Sequence, residues 1–195
     1  MRKLLFILLL LSLNSWSQNA DINLLKNINL NRNKNLDNAF RLITNSATPL
    51  SIGIPASLFI DGVITKDSLT RHKALYTGAT VVCSMAIATI VKYSVNRPRP
   101  YVTYPFIEKE AKGGSPSFPS GHSSDAFSLA TSLSIAFPKW YVIIPSYIWA
   151  GAVGYSRLDL GVHYPSDVLA GALIGAGSAY LCYKCQKWLM KKNGK

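Results

Sequence analysis

One lysine, two arginines, two histidines and an aspartate recur at tight spacing between residues 92 and 167 of this 195-residue chain. Lys92 is followed after six residues by Arg99-Pro100, then comes Pro119-Ser120-Gly121-His122, and Ser156-Arg157 leads on to His163 and Asp167. Arginine offers forked donors that match phosphate oxygens, and lysine acts as a point charge. A carboxylate one helical turn beyond an imidazole can fix its tautomer and leave the other nitrogen free to attack. This is the inventory of a phosphoryl-transfer site that uses no metal.

The local sequence says how these groups are held. Pro98 and Pro100 bracket Arg99 and cannot continue a helix, so Lys92 crowns a helix while Arg99 folds back from a loop. Arg97 reads as a solvated or lipid-facing cation, with a third grip on the ligand as the alternative. Ser120 reads as an N-cap, and its hydroxyl with the amides of Gly121 and His122 would form an anion cradle. Pro165 suits the first turn of a further helix that carries Asp167. Asp125 reads as a partner of its helix dipole or, alternatively, of His122. His72 lies between Arg71 and Lys73 at the opposite end of the expected bundle and serves as an internal control.

Helices must bring these groups together. Uncharged runs cover 42–60, 74–91, 126–138, 140–156 and 168–183, and the third can begin at Ser120. Four of them approach the ~17–25 residues of a membrane-spanning helix. Only 15% of residues are charged and 49% are apolar, yet the net charge is +12. Lys66, Arg71, Lys73, Lys139 and the lysine-rich tail fall on one side, as the positive-inside rule requires of a cytoplasmic face. The fold class expected is therefore an all-α bundle, integral to the membrane, with five mature spans. A soluble bundle of fully buried helices is the competing reading, and either one gathers the site at one end. Nucleic acid is a poor partner, because no basic stripe is continuous.

The N-terminus shows a basic start, an apolar stretch from Leu4 to Leu13 and small residues at Ser15 and Ser17. It is expected to be a signal peptide over 1–17, or an uncleaved first span that would make six. Residues 18–41 would be an exported polar segment, 42–188 the helical core and 189–195 a basic cytoplasmic tail. Leu24, Leu25, Ile28 and Leu30 suggest a short surface helix. Cys83, Cys182 and Cys185 are expected to pack rather than to bind zinc or form a disulfide framework.

The motifs K-x6-R-P, P-S-G-H and S-R-x5-H-x3-D, spread over residues 92 to 167, resemble those of the type 2 phosphatidic acid phosphatase and vanadium haloperoxidase superfamily. The resemblance implies a metal-independent phosphohydrolase without cofactors that works through a phosphohistidine. It casts His163 as nucleophile, Asp167 as its orienter and His122 as the acid that protonates the leaving oxygen. Lys92, Arg99, Ser120, Gly121 and Arg157 would hold the phosphoryl group. The expected activity is removal of phosphate from a membrane lipid at the periplasmic face of the inner membrane. A soluble exported acid phosphatase, a vanadate-dependent haloperoxidase and a non-enzymatic phosphate binder are the alternatives. In assays of phosphate release, His163→Ala and His122→Ala should each lower kcat by at least ~10², whereas His72→Ala should stay near wild type.

Overall fold

The computed structural model describes residues 19–114 and 116–192, with side chains to 189. The proposed leader and the last three residues lie outside the described residues. Residues 19–30 are helical (α1). A 3-10 turn at Lys34–Leu36 follows, then α2 (Asp37–Asn45), α3 (Ala47–Ile64), α4 (Ser68–Val95), the single turn α5 (Pro100–Thr103), α6 (Gly121–Ala136), α7 (Trp140–Asp159) and α8 (Pro165–Lys192). The expected runs are thus helices with small changes of boundary, and no strand occurs among the described residues. Helix α8 carries the chain on to Lys192, into the segment expected to be the basic tail.

Capping residues set the ends that matter. Asp67 caps α4 by accepting from Leu69 N–H at 2.9 Å. Asn96, in the left-handed region at φ 49°, ends α4 and turns the chain toward Arg97 and Arg99. Ser120 caps α6 as expected, and its Oγ accepts from Ser123 N–H at 3.4 Å.

Helix α6 lies at the centre, packed against α8, α7, α4 and α3. Its approach to α8 is the closest, because Gly171 and Gly175 face Ser120, Ser124 and Ser128. A Cβ added at Gly175 would lie 2.5 Å from the Ser124 carbonyl oxygen and 2.7 Å from Ser128 N. Small residues one turn apart on both helices are what lets two backbones touch without a hydrophobic driving force.

The distribution of polarity is inverted relative to a soluble bundle. Ser51, Thr77, Thr80, Ser84, Ser124 and Ser128 are fully buried, whereas Ile64 is 74% exposed, Val82 67% and Leu173 66%. Water would penalise such an outer face, while lipid solvates it. Three stretches, Lys34–Ile64, Ser68–Thr103 and Pro165–Leu189, are long and apolar enough to cross a membrane. Trp140, Tyr141 and Trp188 are exposed close to helix ends, where interfacial aromatics sit. The soluble reading fails on this inversion. The cysteines are only partly as expected: Cys83 and Cys182 are half-buried, but Cys185 is exposed.

Gly175→Ala should lower detergent-solubilised stability by roughly 1–3 kcal/mol through overpacking. Gly177→Ala, where a Cβ meets nothing within 4 Å, should be neutral or stabilising in the same thermal melt.

Candidate active site

The sequence-predicted groups converge at one end of the bundle. Lys92 lies in the last turn of α4, Arg157 in that of α7, His122 in the first turn of α6 and Asp167 in that of α8. Between α7 and α8 the chain turns at Gly161, whose φ of 68° brings it so close to the Glu108 carbonyl that a Cβ would lie 2.2 Å away. The Arg157 carbonyl then accepts from Val162 N–H at 3.1 Å and His163 N–H at 3.3 Å, which fixes the nucleophile candidate against the end of α7.

His163 is buried, and its hydrogen bonds determine its tautomer. Arg99 Nη1 lies 3.2 Å from His163 Nε2. A guanidinium can only donate, so Nε2 must carry the lone pair and Nδ1 the proton. Nδ1 faces Asp167 Oδ2 at 3.4 Å. Burial, with Arg157 and Arg99 adding to it and Asp167 opposing, pushes the imidazole pKa down to about 3. The ring is therefore neutral at pH 7 with its lone-pair nitrogen turned toward Arg99.

Asp167 accepts from several groups at once. Oδ2 also accepts from the Ser117 hydroxyl, and from Tyr164 N–H at 2.9 Å. Oδ1 accepts from Arg97 Nη1 at 2.8 Å. The sequence reading of Arg97 is corrected here. It is neither a free surface cation nor a ligand grip, because its two nitrogens join Asp167 and Asp21, and it stacks on the Tyr164 ring at 3.8 Å.

The phosphate-holding candidates divide into two kinds. Arg99 is buried, donates to the carbonyls of Gly114 at 2.9 Å and Val162 at 2.7 Å, and thus spans both loops of the site. Lys92 Nζ donates to the carbonyls of Pro116 and Pro119, both at 2.9 Å, so it latches the loop ahead of Ser120 as well as adding charge. Arg157 is 2% exposed and gives Nη1 to Thr44 Oγ1 at 2.6 Å, while its Nε has no hydrogen-bond partner among the described residues. A buried guanidinium left so incompletely paired is costly, and an anion oxygen is the group that would complete it. The space beside Gly121 is open, since an added Cβ would meet nothing within 4 Å. His122 is half-buried, and the charges of Arg157 and Arg99 reach both imidazoles. Asp125 makes its hydrogen bond to Thr48 Oγ1 at 3.0 Å, on α3.

The N-terminal segment is more than a surface helix. α1 buries Asp21, Ile22, Leu25 and Asn29 along one stripe, with Ile22 and Leu25 against Ile107 and Tyr164. Asn29 Nδ2 donates to the carbonyls of Glu108 at 3.0 Å and Asp159 at 2.8 Å, and its Oδ1 accepts from Glu108 N–H at 2.9 Å. Sequence reasoning missed Asp21, Thr44 and Ser117, whose types are ordinary and whose partners lie far along the chain.

The PAP2 superfamily model matches residues 73–191, which contain every one of the motif residues. The chain belongs to the PAP2 superfamily. A lipid A 4'-phosphatase from Bacteroides thetaiotaomicron is 39% identical over 88 residues, which are 45% of this chain and 39% of that protein. The chain spans about half the length, or less, of the curated relatives it matches. Among PAP2 structures, Aquifex aeolicus LpxE superimposes with a TM-score of 0.72 at 28% identity, covering 85% of this chain and 95% of that one. The transmembrane PAP2 type phosphatidylglycerolphosphate phosphatase of Bacillus subtilis gives 0.69 at 27% identity, covering 88% and 86%.

The depressed His163 pKa gives a direct test on this PAP2 member. At pH 5 a free imidazole is largely protonated. In 15N-histidine-labelled protein in detergent, His163 should still show neutral-ring shifts there, with the proton on Nδ1. A protonated ring at pH 5, or the proton on Nε2, would contradict the assigned geometry.

Proposed function

We propose that this chain is an integral-membrane, metal-independent lipid phosphatase that works through a phosphohistidine at His163. The observation that carries the reading is a neutral imidazole, its Nε2 lone pair turned to Arg99, beside the incompletely paired buried guanidinium of Arg157. In the first step Nε2 attacks phosphorus and the P–O bond to the lipid breaks. The negative charge of the bound phosphate opposes the nearby cations and favours a protonated His122, and the leaving oxygen takes that proton, leaving His122 neutral. Arg99 exchanges its contact with Nε2 for a phosphoryl oxygen, and Asp167 stabilises the positive charge that develops on the His163 ring. Water then attacks the phosphohistidine, His122 takes up its proton, the P–N bond breaks and phosphate departs. The reaction has little covalent work for other protein groups, so positioning and charge dominate. Arg99, Arg157, Lys92 and the amides and hydroxyl of the Ser120–Gly121 turn supply both.

The lipid assignment rests on the inverted surface and on the position of the site at the end of the bundle. A cavity of about 760 Å³ is lined by Arg41, Asn45, Lys109, Glu110, Ala111 and Lys112, and Asn45 follows Thr44, the partner of Arg157, so its cations suit an anionic head group. The proposed topology has five spans after a leader over 1–17, with residues 18–41 exported, the core over 42–188 and the tail over 189–195 cytoplasmic. The enzyme then sits in the inner membrane with His163 facing the periplasm. Phosphatidate, phosphatidylglycerol phosphate, undecaprenyl diphosphate and lipid A are the substrates to compare.

Purified protein in detergent should release phosphate from at least one of these lipids faster than from p-nitrophenyl phosphate, and should do so undiminished in EDTA. Reactions with 32P-labelled substrate quenched in alkaline detergent, where a phosphoramidate bond survives, should leave an acid-labile label on His163. Label on another side chain, or loss of turnover on chelation, overturns the mechanism; a preference for the soluble ester overturns the lipid assignment.

A further inference from the structure

Asp21 stands outside the residues matched to the family, 73–191, and outside every motif that pointed to the site. Its carboxylate nevertheless lies one residue removed from the partner of the nucleophile. Oδ1 accepts from Ser166 N–H at 2.9 Å, and Oδ2 accepts from the Ser166 hydroxyl and from Arg97 Nη2 at 2.8 Å. Arg97 Nη1 in turn donates to Ser166 Oγ at 2.7 Å and to Asp167 Oδ1 at 2.8 Å. Asp21 and Asp167 are both buried, and the guanidinium bridges them while lying flat on Tyr164.

We propose that Asp21 is a positioning residue for catalysis, setting the orientation and charge of Asp167 through Arg97 and Ser166. This rests on the phosphatase reading above. Two physical effects support it. The first is geometric. Arg97 has a long side chain, and its two nitrogens are directed by two carboxylates in different places. Without Asp21 the fork is free to turn both donors onto Asp167, pulling that carboxylate from the line to His163 Nδ1. The second is electrostatic. Asp21, Arg97 and Asp167 together carry one negative charge, set against the cations Lys92, Arg99 and Arg157. Neutralising Asp21 leaves the trio without net charge, so the cations dominate. The His163 nitrogen becomes a weaker nucleophile, and the positively charged phosphohistidine ring is less well stabilised. Both effects act on the chemical step, since neither Asp21 nor Arg97 touches the phosphate-holding groups.

The experiment measures kcat and KM on a lipid substrate for Asp21→Asn, Asp21→Glu, Arg97→Lys, Arg97→Gln and the Asp21→Asn/Arg97→Gln double variant. Turnover is expressed per active site, counted at saturating substrate by the base-stable, acid-labile label trapped on His163, so that unfolded protein does not enter. Per-site kcat of Asp21→Asn should fall about 10- to 100-fold, the range typical when a supporting hydrogen-bond partner is lost. KM should stay within about twofold, Asp21→Glu should recover part of the loss, and the double variant should be no slower than Arg97→Gln. If Asp21→Asn does not fold, Arg97→Lys, which keeps the charge and loses the fork, must show the same split. Wild-type per-site kcat in the folded variants, or losses confined to the number of active sites, overturns the proposal. His163→Ala separates the two readings. Full activity in that variant removes the phosphatase mechanism itself, whereas an inactive His163→Ala beside a fully active Asp21→Asn removes only the role of Asp21.

Discussion

Four donors converge on the Asp167 carboxylate, and the rest of the site is arranged around keeping them there. The Ser117 hydroxyl, Arg97 and the adjacent Tyr164 N–H and His163 Nδ1 come from three different stretches of chain. A buried carboxylate is tolerable only when so satisfied. Moving any one of these stretches leaves either an uncompensated charge or a wrongly directed imidazole. Even the Asp167 backbone takes part, for its carbonyl accepts from Ser120 N–H at 3.0 Å and so ties the start of α6 to the start of α8. Orientation of the His163 ring and placement of the Ser120–Gly121 turn are thus one constraint.

That constraint is transmitted by the glycine–serine contact between α6 and α8. With Gly171 against the Ser120 carbonyl, the two helix starts cannot separate or rotate without opening the interface. Most interior hydroxyls then find partners one turn back or across the bundle, as Ser84 Oγ and Ser124 Oγ do at 2.6 Å, while Thr80 and Ser178 find none among the described residues. The apolar side chains are left for the outer surface. Close packing of small polar residues inside and bulky apolar residues outside follows from a single requirement, that the helices be solvated by hydrocarbon.

Much of this was legible in the sequence because the chemistry sits at helix ends, and helix ends leave local marks. Ser120 before Gly121, Pro165 before Asp167 and the Pro98–Arg99–Pro100 bracket each fix a direction within a few residues. The charge-free runs gave the helices for the same reason. What stayed hidden depends on partners that no local pattern specifies. Arg97 looked like a surplus cation because Asp21 is 76 positions away and Asp167 is 70. Lys92 looked like a simple ligand grip because its partners are carbonyls, which every residue has. The stripe Asp21, Ile22, Leu25 and Asn29 was half visible, but the loop it covers has no periodicity from which to read a second face.

The loop between Arg99 and Ser120 is pinned at short intervals. Asn29 holds Glu108 through its N–H and carbonyl, Arg41 holds Glu110, Tyr101 the Gly113 carbonyl, Arg99 that of Gly114 and Lys92 that of Pro116. A rim tethered so often behaves as a fixed template and not as a shutter. Such an entrance orders little on arrival of a guest, so occupancy costs little conformational entropy. A guest can then enter and leave that rim without any of its tethers being broken.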